Sequence, residues 1–335
     1  MNNQKNSLLT MTASPHIKSF IKTHNIMADV ILALLPALVW AIYLYGLRAL
    51  TITVISVCSC VLFEYLYRKI MKKNFSLGDL SAVVTGLLLA YSMPVSVPLW
   101  MPILGSFFAI IIAKQLYGGM GKNVVNPALA GRVFLFFAYS DEMCTFTAPG
   151  LKLSPFSISV SEELADVVAS ATPLKEISST GITEYSTIST LIGNIPGCIG
   201  EVSATLLILT GAYLMIRKVI TWHIPVTYLA TVALITYIFP LGNMGRFDFM
   251  MLQLFSGGLM LGAFFMATDY VTSPVTPLGR IIYGVGCGII TVFIRYFGAF
   301  PEGVSFAILI MNLFVWYLDK ATKPRVFGGV KNEQK

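Results

Sequence analysis

Thirty-four consecutive residues, Leu80 to Ala113, carry no charge, and the middle of that run holds Pro94, Pro98 and Pro102. About 20 helical residues cross a bilayer core, so the run is too long for one span. Proline lacks the N–H that the helical ladder needs, and its ring clashes with the preceding turn. The run therefore reads as two spans folded back at Ser92–Pro98. Comparable apolar stretches recur from Val30 almost to the C-terminus. Only 12% of the 335 residues are charged while 56% are hydrophobic, against roughly 25% charged in soluble domains. So few charges cannot clothe a core of this size in water; a bilayer must supply the apolar solvent. The expectation is an all-α integral membrane protein.

Ten transmembrane helices are predicted, at about 27–46, 49–67, 79–93, 98–116, 124–139, 199–216, 224–240, 250–268, 279–297 and 303–319. The first is too long for a signal-peptide core and has no small-x-small cleavage site after it, so it is expected to remain as a span. The net charge of +7 sits beside the spans rather than on a separate basic face, which argues for topology and against a nucleic-acid partner. Arg68, Lys69, Lys72, Lys73, Lys122, Arg217, Lys218 and the basic tail from Lys320 all fall on one side, with Lys5, Lys18 and Lys22. The positive-inside rule makes that side cytoplasmic. Arg48 and Arg246 are the exceptions. Ser140–Cys198 then becomes one long extracytoplasmic loop with seven acidic residues against Lys152 and Lys175.

The chain also repeats itself. Thr85-Gly86-Leu87-Leu88-Leu89-Ala90 resembles Gly257-Gly258-Leu259-Met260-Leu261-Gly262, and Tyr117-Gly118-Gly119 resembles Tyr296-Phe297-Gly298. Two halves of five spans, an odd number, must run in opposite directions, and such an inverted 5+5 repeat usually encloses a site at interrupted helices. The expected division is a cytoplasmic segment 1–26, a first repeat 27–139, the outer loop 140–198, a second repeat 199–319 and a basic tail 320–335.

Individual motifs carry less. Asn126-Pro127-Ala128 suggests a helix start, with Asn as N-cap and Pro at the first helical position, rather than a water pore, since the repeat position reads Ser305-Phe306-Ala307. The five cysteines show no zinc or iron–sulfur spacing, and no metal is expected. The three histidines lack i, i+4 pairing, and four tryptophans near span ends form an interfacial belt. Glu64, Lys114, Arg132, Glu201 and Arg295, in or at the edge of spans, are expected mostly to snorkel. Asp269 stands apart, because Thr272, Ser273 and Thr276 beside its carboxylate make a plausible hard-cation site on an ion path.

In the outer loop, Asp166-Val167-Val168-Ala169-Ser170-Ala171-Thr172-Pro173-Leu174 resembles the flavin-attachment signature Asp-Gly-x-Ser/Thr-Gly-Ala-Thr. That signature belongs to the family that unites the D subunit of the Rnf complex with the B subunit of the sodium-pumping NADH:quinone reductase. Val167, Ala169 and Ser170 stand where the family has Gly, Ser/Thr and Gly. Ser14-Pro15-His16, Gly118–Arg132, Ala267-Thr268-Asp269 with Ser273-Pro274, and Gly298–Asn312 extend the resemblance over nearly the whole chain, and length favours the Rnf member. The resemblance implies FMN joined through a phosphoester to Thr172 by a flavin transferase, with Asp166, Ser170, Ala171 and Pro173 around it. It also implies a noncovalent riboflavin between the repeats. Function would be electron transfer between ferredoxin and NAD coupled to Na+ or H+ movement across the cell membrane. Partners would be a membrane-anchored FMN subunit, paired small membrane subunits and iron–sulfur subunits; the chain is not expected to act alone. The alternatives are the quinone-reductase member and a passive small-solute channel of urea-channel-like fold, which has no use for Asp166–Leu174.

Overall fold

A computed structural model describes residues 22–72, 77–151, 153–156, 169–183, 185–201, 203–242, 244–298 and 302–324. The first series of helices is α1 (Thr23–Tyr45), α2 (Leu47–Ile70), α3 (Ser81–Tyr91), α4 (Met101–Phe107, continued by a π-helical stretch Phe108–Gln115) and α5 (Pro127–Ala138). The outer segment carries α6 (Ser140–Met143), two-residue strands β1 (Phe146–Thr147) and β2 (Ala169–Ser170), α7 (Pro173–Thr180) and α8 (Thr187–Ile192). A second series follows: α9 (Ala204–Ile216), α10 (His223–Ile238), α11 (Arg246–Phe255), α12 (Leu259–Leu261, continued by a π-helical stretch Gly262–Met266), α13 (Pro277–Phe297) and α14 (Val304–Ala321).

Every segment expected to be a span contains an apolar helix. Four of them, α1, α2, α13 and α14, are long and apolar enough to cross a bilayer unaided, and α11 with α12 passes as a pair bent by 60°. α3, α4 with its π-helical stretch, α5, α9 and α10 are shorter apolar helices. The expected boundary at 199 moves inward, since Ile199–Glu201 is a 3-10 turn and α9 begins at Ala204.

The chain folds back after α3 where the prolines require it. Non-helical backbone is tolerated at membrane depth only where its polar groups find partners within the protein. Met93 O accepts the Ile199 N–H at 2.9 Å. Arg48, 0% exposed, donates from Nε to Val95 O at 2.8 Å and from Nη2 to Val97 O at 3.0 Å. Arg48 is thus a structural cap on the fold-back rather than an exposed charge. The second break, between α11 and α12, turns through Gly257 and Gly258 at φ of +69° and +65°, values that favour glycine. Buried Arg295 holds it by donating to Gln253 O at 2.5 Å and Ser256 O at 3.0 Å.

Small residues bring the helices together. A Cβ on Gly86 would meet Val57 Cα at 2.7 Å, and Ser56 Oγ donates to Gly86 O at 2.8 Å, so α3 lies directly on α2. Gly284 and Gly288 likewise face Thr227 and Thr231 of α10. One apolar core, including Leu34, Leu89, Leu129, Leu214, Tyr228 and Ile308, runs through both series.

Snorkelling does not occur. Glu64, Lys114, Arg132, Glu201 and Arg295 are 1%, 3%, 8%, 7% and 5% exposed. For Glu64 and Lys114 the reason is mutual satisfaction, since a buried charge is tolerable when paired and hydrogen-bonded. Lys114 Nζ bonds Glu64 at 2.8 Å and Ser81 Oγ at 2.7 Å, and Gln115 and Arg68 complete the Glu64 carboxylate at 3.0 and 2.9 Å. Trp40 Nε1 donates to Ile192 O of the outer segment at 3.1 Å.

Candidate functional site

Thr172 sits at the N-cap of α7, with extended φ and ψ of −71° and 153° and Pro173 as the first helical residue. Its Oγ1 accepts the Lys175 N–H at 3.3 Å, as an N-cap threonine does. Two contacts fix its position. On the N-terminal side, β2 pairs antiparallel with β1, Ser170 opposite Phe146 and Ala169 opposite Thr147. On the C-terminal side, α7 docks on α11, with Ile177 packed against Phe249 and Leu252 and Leu174 set against the Gly257 turn. Thr172 is 5% exposed, whereas Ala171 beside it is exposed. Asp166, Val167 and Val168 lie outside the described residues, as does Lys152.

Thr172 opens onto a cavity of ≈400 Å³ whose walls include Phe136, Cys144, Phe146, Lys175 and Glu302. That volume lies within the range of small-molecule pockets, about 300–1,000 Å³. The donor set suits a phosphate ester on Oγ1: a helix N-terminus offers N–H groups and a positive dipole end to an anion, and the Lys175 ammonium belongs to the same wall. Phe136 and Phe146 supply flat apolar surface for a ring system. The same cavity also carries the carboxylates of Asp141 and Glu302, so a flavin phosphoester fits on the side formed by the α7 N-terminus and Lys175.

Thr183 is the local competitor in sequence, within Ser179-Thr180-Gly181-Ile182-Thr183. Its Oγ1 donates to Glu176 Oε2 at 2.7 Å and accepts the Tyr185 N–H at 3.2 Å. A phosphate there would meet a carboxylate at contact distance, which like-charge repulsion opposes.

Phe136, Phe146, Lys175 and Glu302 are gathered with Cys144 from three separate parts of the chain, and sequence set apart only Cys144, with Cys198, as cysteines at the ends of one long loop. Lys175 lies three residues beyond the N-cap threonine. Burial holds the Cys144 thiol above its ordinary value, and Glu302 adds to the shift. All five cysteines are free thiols. Cys198 lies deeper, 2% exposed, with Arg132 Nη2 at 3.7 Å from its sulfur.

Asp269 is half-buried just beyond α12. Its carboxylate accepts the Val271 N–H at 3.5 Å and the Thr272 hydroxyl at 3.2 Å, so the expected hydroxyl partner comes from its own turn. Burial raises its carboxyl above the ordinary aspartate value, against those two hydrogen bonds. It lines a cleft of ≈100 Å³ between the two helix series, with Lys114, Ser81, Asn126 and Thr268. At the same place Asn126 caps α5 by accepting the Ala128 N–H at 3.0 Å, and its amide donates to Met266 O at 3.1 Å. The expected helix start is present, and it ties α5 to the end of α12.

Comparison with known proteins covers this whole arrangement. The family described as NQR2, RnfD, RnfE matches residues 10–328. The chain is similar to the D subunit of the Na(+)-translocating ferredoxin:NAD(+) oxidoreductase complex of Acetobacterium woodii, with 44% identity over 327 residues and 96% of each chain covered. It is 38% identical over 334 residues, 97% of each chain, to the D subunit of the Proton-translocating ferredoxin:NAD(+) oxidoreductase complex of Clostridium ljungdahlii. A third relative, the D subunit of the Ion-translocating oxidoreductase complex of Halorhodospira halophila, is 34% identical over 340 residues and 95% of each chain. The chain belongs to the NQR2, RnfD, RnfE family of membrane subunits.

Proposed function

We propose that the chain is the D subunit of an ion-translocating ferredoxin:NAD oxidoreductase complex and carries FMN on Thr172. The observation that carries this reading is the coincidence of the signature threonine with a helix N-cap at the mouth of a cavity large enough for a ligand. When bound, the flavin would supply one-electron chemistry; the protein supplies position and electrostatics. Thr172 would hold the phosphoester, the N–H groups of Leu174 and Lys175 and the Lys175 ammonium would balance its charge, and Phe136 and Phe146 would exclude water from the ring.

The ten apolar segments would each reach across the bilayer as an inverted 5+5 repeat, with the basic residues cytoplasmic and Thr172 outside. The cleft at Asp269 and Lys114 lies between the two halves, where the implied riboflavin and a cation path would both run. At ≈100 Å³ it would have to widen to admit an isoalloxazine ring. Electron-carrying membrane and iron–sulfur subunits would complete the complex, as the names of the relatives as complex subunits suggest.

In-gel flavin fluorescence of the denatured chain tests the attachment site. Thr172→Val is expected to abolish it and Thr183→Val to leave it intact. Fluorescence retained in Thr172→Val and lost in Thr183→Val would overturn the assignment.

A further inference from the structure

Behind the cavity at Thr172, two buried carboxylates lie close together and a single guanidinium is paired with one of them. Arg132 of α5 pairs with Glu302, donates to Ser305 Oγ at 2.5 Å and lies 3.7 Å from Cys198 Sγ. Cys198 Sγ and a carboxylate oxygen from each of Glu201 and Glu302 lie within 4.8 Å of one another. Cys198, Glu201, Glu302 and Arg132 are 2%, 7%, 8% and 8% exposed. Glu302 Oε1 is buried without a hydrogen-bond partner, and Glu302 also lines the cavity.

The charges do not balance. With both carboxylates ionised, two negative charges meet one positive, and an uncompensated buried charge is costly. The neighbouring groups do not supply the difference. Arg295 is committed to the carbonyls of the α11–α12 break, and the Tyr45 hydroxyl donates to Ile195 O at 3.1 Å. Lys175, exposed on the wall of the cavity that Glu302 also lines, faces Asp141 there as well and makes no ion pair with Glu302 among the described residues.

There is also little space for a hydrated ion. Arg132 already holds Glu302. A Cβ on Gly197 would lie 2.7 Å from Glu201 Oε2, and one on Gly258 would lie 3.1 Å from Oε1, so backbone closes on both sides of that carboxylate. The void at Arg132, Glu302 and Ser305 measures ≈10 Å³, about the least that holds one water. A proton needs no such space.

We propose that Glu201 and Glu302 share one proton, exchanged with the outer aqueous phase through the Thr172 cavity and held more tightly when negative charge enters that cavity. Its redox half rests on the flavin reading. At a pH where the pair has released its proton, one electron delivered to the cavity by an electron-carrying membrane partner draws that proton back from outer water onto the carboxyl pair, and both leave on reoxidation. Linkage is reciprocal, so the bound proton makes reduction in the cavity easier.

Two measurements test this, and they fail separately. The first uses purified Thr172→Val chain, which has no attachment hydroxyl, in infrared spectroscopy across a pH titration. A protonated-carboxyl band is expected that shifts in deuterated water, titrates away at high pH and is lost in Glu201→Gln. Absence of any exchangeable band in the unmutated-glutamate chain would overturn the shared proton whatever the flavin does. The second is the midpoint potential of the flavin in the assembled complex. It is expected to fall with rising pH, towards about a tenfold change in the reduction equilibrium per pH unit for one proton per electron, and to flatten in Glu201→Gln. A pH-independent potential in the unmutated complex, with the infrared band present, would overturn the redox linkage. Failure of the flavin reading would instead appear as a denatured chain without fluorescence.

Discussion

At the scale of single residues, buried arginines do what no apolar residue can. Arg48 meets carbonyls of the α3–α4 fold-back, Arg295 those of the α11–α12 break, and Arg132 a carboxylate from the far end of the chain. Removing one partner of a buried pair leaves the other uncompensated, at a cost of about 3–5 kcal/mol. Arg132→Met is therefore expected to lower stability by about that amount, read as thermal unfolding of the detergent-solubilised chain, and Arg132→Met with Glu302→Gln to recover much of the loss. Equal destabilisation of the single and double variants would remove the pair from the account. Asp269 belongs to the same scale. Asp269→Asn is expected to impair ion-coupled electron transfer in the assembled complex while leaving covalent flavin in place; unchanged ion dependence would leave Asp269 with only its own-turn hydrogen bonds.

At the scale of elements, sequence was informative where local chemistry decides. The prolines in 94–102 stop α3 and force the fold-back, Asn126-Pro127 begins α5, and run lengths placed an apolar helix within each expected segment. It was uninformative where partners are far apart: Lys114 and Glu64 are 50 residues apart, and Arg132 and Glu302 are 170 apart. Nothing local distinguishes a charge that snorkels from one that finds such a partner. The cavity at Thr172 was hidden for the same reason, since α5, the outer segment and Glu302, two residues before α14, each supply part of its wall. Close packing of elements is testable at Gly86, where an added methyl would press on α2 backbone. Gly86→Ala is expected to cost about 1–3 kcal/mol as overpacking, and an unchanged unfolding temperature would contradict that contact. The cavity is testable through Cys144. A small maleimide should modify Cys144 in Thr172→Val more readily than in native chain, where the attached group would fill the space; equal rates would mean that the cavity is not where the cofactor lies.

At the scale of the whole molecule, the proposed reading has a flavin site at the outer surface and a charged cleft at the inner one, with the shared apolar core between them. Orientation is open to direct measurement. Single cysteines placed at Lys175 should react with an impermeant reagent in intact cells, whereas cysteines at Lys69 should react only after permeabilisation. The reverse pattern would invert the topology and put Thr172 on the cytoplasmic side. The central claim, however, is chemical, and one measurement addresses it most directly: peptide mass mapping of the native chain purified from its complex. The account predicts that the peptide containing Thr172 carries the mass of FMN joined by loss of water, with fragmentation placing it on that residue. A full yield of unmodified Thr172 peptide, or the same mass found on the peptide containing Thr183, would contradict it.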